Sequence, residues 1–137
     1  MRVVLDTNVL ISALLFGGHL QFIVDFLEEG RITPCFSSAT WKELKRTLQY
    51  PHLARVLADQ DAHIDDVLFR LSVQSIFVAD TLSPIPISGD RADEAILACA
   101  AVSSVTVVVT GDKLLLSLHE GFSIPIMSPQ QFKKFVK

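Results

Sequence analysis

Short runs of β-branched and apolar residues alternate along the chain with stretches whose apolar positions recur at helical spacing. Residues 2–5, 32–36, 76–79, 106–110 and 124–127 read as strands. The run Val105-Thr106-Val107-Val108-Val109 is apolar on both faces apart from one Thr. That is the pattern of a central strand covered on both sides, expected to neighbour the first one. Helical periodicity fills the gaps: residues 9–16; 20–28, closed by Gly30; 39–49, closed before Pro51; 52–58; and 61–75. The last three predict a helical hairpin or arch beside the sheet. Residues 81–89, with two prolines and a glycine, predict a loop leading to a helix that carries Asp93, Ile96, Leu97, Ala100 and Ala101. A short helix over 113–118 follows. Ser128-Pro129 then starts a final one that bears Phe132, Phe135 and Val136. Alternation of this kind predicts an α/β fold: a mostly parallel sheet of about five strands with helices on both sides.

Composition agrees with that architecture. The chain has 137 residues, half of them apolar and a fifth charged. A chain this long buries about 70% of its unfolded surface, and a single domain over residues 1–137 is expected. Cys35 falls in a predicted strand and Cys99 in a helix interior, without CxxC spacing, so both are expected to be small buried hydrophobes in a reducing compartment. No run of 18 apolar residues occurs, and Asp6 and Asn8 interrupt the only stretch that resembles a leader, so a cytoplasmic protein with no membrane partner is expected. A formal charge of -3 argues against gripping a polyanion over a broad basic face.

The candidate chemistry lies in acids at element junctions. Asp6 closes the first apolar run and is followed at once by Thr7-Asn8 and a helical pattern. A carboxylate at the C-terminal tip of a buried strand points into the crevice where open α/β sheets bind ligands. Glu43, Asp93 and Asp112 occupy later junctions, so the four are candidates to converge on a divalent cation. Asp93 shares the inward stripe of Ile96, Leu97, Ala100 and Ala101. It would also be explained as a first-turn acid favoured by the helix dipole, with Asp90 as the cap three residues earlier. Thr40-Trp41-Lys42-Glu43 matches a capping box, which would account for Glu43 without a metal. Glu43 nevertheless flanks the stripe of Trp41, Leu44 and Leu48, while Lys42, Lys45 and Arg46 are assigned to the solvent side. Asp112, after Thr110-Gly111, would cap the next helix or stand beside Asp6 at the same sheet edge.

Two acids so placed repel by several kcal/mol in a low-dielectric cleft unless a proton or cation lies between them. Mg²⁺ and Mn²⁺ prefer oxygen ligands, and phosphodiester hydrolysis is the chemistry that uses such a site most directly. Asn8 and Thr110 would support the acids through neutral hydrogen bonds; both are also ordinary turn residues. The four histidines show no metal spacing, and GxSxG, P-loop and dinucleotide fingerprints are absent from the sequence.

Four segments carry a resemblance: 3–13 around Asp6, Trp41-Lys42-Glu43-Leu44, 90–98 around Asp93, and 109–115 around Asp112. In order and spacing the chain resembles a PIN domain, specifically the bacterial VapC-like toxins of toxin–antitoxin pairs. The resemblance implies a three-layer α/β/α fold and an endoribonuclease that hydrolyses single-stranded RNA with a metal-activated water, using one or two Mg²⁺ or Mn²⁺ ions. It implies catalytic and metal-binding roles for Asp6, Glu43, Asp93 and Asp112, support from Asn8, Thr110 and Asp90, a small antitoxin partner and a homodimer. Leu114 and Leu115 stand where many relatives carry a further acid. The alternatives are a non-catalytic PIN module that binds RNA or a protein, and a phosphatase with Asp6 as nucleophile, for which Asn8 replaces the usual second Asp.

Overall fold

In a computed structural model, residues 1–83 and 91–136 are described. Strand β1 (Arg2–Leu5) leads into helix α1 (Thr7–Leu15), a 3-10 turn (Gly18–Leu20) and α2 (Gln21–Glu28). Next come β2 (Thr33–Ser37), α3 (Ser38–Leu48), α4 (Pro51–Asp59), α5 (Ile64–Val73) and β3 (Ile76–Val78). The chain continues with α6 (Arg91–Ser103), β4 (Val107–Val109), α7 (Lys113–Ser117), β5 (Ile126–Met127) and α8 (Pro129–Val136). The five strands form one sheet in the order β3-β2-β1-β4-β5, and every pairing is parallel. The predicted architecture therefore stands, with β1 and β4 side by side at its centre and Leu5 level with Val109.

Strand alternation divides the interior into two. Val3, Leu5, Phe36, Val107 and Val109 face one side, where they join buried residues of α1 to α5 and Phe132 of α8. Val4, Cys35, Val108 and Ile126 face the other, against Ile96, Leu97, Cys99 and Ala100 of α6 and Leu115 of α7. Leu53 and Leu57 of α4 and Leu68 and Leu71 of α5 join the first core. Both cysteines are buried thiols, and Cys99 Sγ donates to the Cys35 carbonyl oxygen at 3.5 Å. No single helix among the described residues is long and apolar enough to cross a membrane.

Element ends follow local chemistry. Gly30, at φ 72°, closes α2 with two backward bonds, its own N–H to the Leu27 carbonyl and the Arg31 N–H to that of Phe26. These complete a Schellman cap that a side chain would strain. Two expectations need correction. The capping box of α3 is Ser37 with Thr40, not Thr40 with Glu43, because β2 extends to Ser37 and the helix begins at Ser38. Ala101 is exposed, and the inward stripe of α6 continues instead through Cys99 to Ser103. The loop expected over 81–89 and the capping role of Asp90 lie largely outside the described residues.

Phe132 is fully buried and meets the rings of Phe22 and Phe26, with centroids 6.4 and 6.5 Å away. It is the buried anchor of α8. Phe132→Ala is expected to cost about 3–5 kcal/mol of stability, measured as the shift in a urea unfolding midpoint.

Candidate active site

The parallel pairing of β1 with β4 places the residues following each strand at one edge of the sheet. The ladder runs one step beyond the strands, since the Asp6 N–H donates to the Val109 carbonyl at 2.9 Å. Thr110, fully buried, follows directly and donates its hydroxyl to Asp6 Oδ2 at 2.6 Å. The same hydroxyl oxygen accepts the Asp112 N–H at 3.0 Å. One threonine thus ties the two acid-bearing turns together. Asp112 also accepts the Leu114 N–H at 2.7 Å, so it caps α7 while lining the cleft; both sequence readings hold at once.

Helices α3 and α6 supply the opposite walls. From α3 come Ala39, Thr40, Glu43 and Arg46, and from α6 Arg91, Ala92 and Asp93. With Asp6, Asn8 and Asp112 they enclose a cleft of about 410 Å³. All four predicted acids therefore share one cavity. Asp93 is buried at 5% exposure, as its helical phase predicts. Glu43 lies in the second turn of α3, released from any capping duty by the Ser37 box. Arg46 donates to its carboxylate, and the Thr47 hydroxyl donates to its backbone carbonyl at 2.8 Å. Arg46 is solvent-exposed, as expected, and its spacing of three residues from Glu43 also lets it edge the cleft. Among the described residues, no three His, Cys, Asp or Glu side chains are drawn into a ready-made ligand set.

Two residues carry no signal in the sequence: Arg91, which lines the cleft, and Asp80, whose carboxylate accepts the Ala39 N–H at 3.0 Å at the start of α3. Asp80 thereby serves the helix terminus. Asn8 acts on Asp6 through its backbone amide.

Burial pushes the Asp6 carboxyl above the usual carboxylate range, the Thr110 hydrogen bond pulls it back, and the charge of Asp112 pushes it up again. The amides of Asn8 and Thr7 pull more weakly downward. An acid held up by desolvation and a neighbouring anion is a site short of positive charge. The donors are all oxygen, the set that hard divalent ions prefer, so the residues fit Mg²⁺ or Mn²⁺.

The pattern that defines the PIN domain matches residues 2–114, a span that includes all four acids. The protein belongs to the PIN-domain family. No curated protein matches the chain. PIN domains are generally nucleases and typically use divalent metal ions. In this PIN domain a five-stranded parallel sheet lies between helical layers.

A carboxyl with a raised folded pKa favours the folded state only while protonated. Its ionisation therefore weakens the fold as pH rises from about 3.9, the ordinary aspartate value, through the higher folded value. Asp6→Asn is expected to stabilise this PIN domain in metal-free buffer at neutral pH. The gain should vanish in acid below that ordinary value, as read from unfolding midpoints across a pH series.

Proposed function

We propose that the protein is a Mg²⁺- or Mn²⁺-dependent endoribonuclease that cleaves phosphodiester bonds of single-stranded RNA, acting as the VapC-like toxin of a toxin–antitoxin pair in the cytoplasm. The single observation that carries the reading is the sharing of one cleft by Asp6, Glu43, Asp93 and Asp112, with Asp112 raising the proton affinity of Asp6.

In this reading the four carboxylates hold one or two ions. When bound, such an ion supplies Lewis acidity, which acidifies the attacking water and stabilises the leaving alkoxide. Thr110 fixes one oxygen of Asp6, so the carboxylate meets its ligand without reorienting. Arg46 and Arg91 are the cations of the cleft wall and draw the phosphate toward the acids. Glu43 is engaged by Arg46, which keeps its charge from adding fully to that of the other three. Asp6 must lose its proton for an ion to bind, so ion affinity falls as pH drops through the raised Asp6 value. A small antitoxin that covers the cleft, and a homodimer, complete the proposed biological unit.

Mn²⁺-dependent cleavage of mixed single-stranded RNA is expected to fall at least about 10²-fold in Asp6→Asn and in Asp112→Asn, the scale of losing one electrostatic contact to the transition state. Both variants should keep the wild-type circular dichroism spectrum. The melting temperature should rise with Mn²⁺ in the wild type and much less in either variant. Undiminished cleavage in both variants would refute the assignment; RNA binding without any metal-dependent cleavage would favour the non-catalytic module.

A further inference from the structure

Helix α1 leads away from the acid cleft with Asn8, Ser12 and Phe16 at four-residue spacing, a stripe about 12 Å long by helical rise. Asn8 lines the acid cleft, and all three residues line a neighbouring hollow of about 360 Å³. The other wall of that hollow holds Thr47, Tyr50 and His52. Thr47 stands one turn beyond Glu43 and donates to its carbonyl oxygen, so the two cavities share both α1 and α3 as walls. Phe16 is 60% exposed and Tyr50 40% exposed. The Tyr50 and His52 rings lie 6.4 Å apart, tilted by 39°.

Core packing does not account for these aromatic faces, which stay open to solvent beside a polar cleft. The charge balance narrows what they receive. With a net charge of -3 and four acids at its centre, the protein lacks the broad basic field that holds a nucleic-acid backbone. Affinity for a strand must then come largely from flat, uncharged groups, and aromatic rings stack on any base that is not already paired. The hollow, of about 360 Å³, adjoins the acid cleft through Asn8, which lines both, and so lies next to the place where the phosphate would sit.

We propose that Phe16, Tyr50 and His52 form a nucleobase-stacking subsite for a single strand whose neighbouring phosphate sits at Asp6 and Asp112. This rests on the nuclease reading above and adds how the substrate is gripped. It also gives a reason for preferring single strands, since a paired base cannot enter the hollow.

Fluorescence anisotropy of a short labelled single-stranded RNA in EDTA, beside the same strand without bases, tests it with nothing being cut. Phe16→Ala and Tyr50→Ala are each expected to weaken binding of the base-bearing strand about 5- to 160-fold, the scale of one stacked base. Neither should alter binding of the abasic strand, and Tyr50→Phe should behave as wild type. Unchanged affinity in both alanine variants, or an equal loss on the abasic strand, would overturn the subsite and leave this aromatic face to a protein partner. Mn²⁺-dependent cleavage of the abasic strand separates the two proposals. If Asp6→Asn abolishes it while the alanine variants bind bases normally, the subsite fails and the nuclease stands. If cleavage survives Asp6→Asn while base-dependent binding is lost in the alanine variants, the nuclease fails and the stacking site stands.

Discussion

Parallel pairing of β1 with β4 is the constraint from which the rest follows. Two adjacent central strands that run the same way must end at the same edge of the sheet, so Asp6 and the turn bearing Asp112 emerge side by side. Their mutual repulsion and the burial of Asp6 work against the fold, and the Thr110 hydroxyl offsets part of that cost by bonding both turns. A sheet core of packed valines and leucines supplies the stability against which this local strain is held. The cleft is thus a polar defect at the rim of an apolar interior, the kind of departure from packing rules that marks function.

Several residues at that rim serve structure and chemistry together. Asp112 caps α7 and lines the cleft, Thr110 closes a strand and orients Asp6, and Glu43 is held by Arg46 within its own helix. Such double use fixes side-chain positions before any ligand arrives, which reduces the reorganisation that binding requires. It also links the acids to the ends of β1 and β4, so perturbing either strand perturbs the site.

Much of this was legible in the sequence, for physical reasons. Strand alternation and the apolar run around Val107 predicted the parallel sheet, because a strand buried on both faces has no polar side to show. The inward phase of Asp93 was readable because helical periodicity fixes a face before any contact is known. The capping box was misread because Ser37 and Thr40 are both good caps, and the choice depended on β2 running one residue further than its apolar pattern suggested. The exposure of Arg46 was legible from its place opposite the apolar stripe of α3, whereas its pairing with Glu43 at the cleft rim depends on where the cleft opens. The hollow bounded by Phe16 and Tyr50 joins segments far apart in sequence, and no local pattern announces such a meeting.

An anomalous-difference map at the manganese edge, from crystals grown at neutral pH and soaked in Mn²⁺, tests the central claim most directly. A peak between the carboxylates of Asp6 and Asp112, bounded by Glu43 and Asp93, is the predicted result. A cleft that holds no manganese at saturating concentration, with the same acids in place, would contradict it.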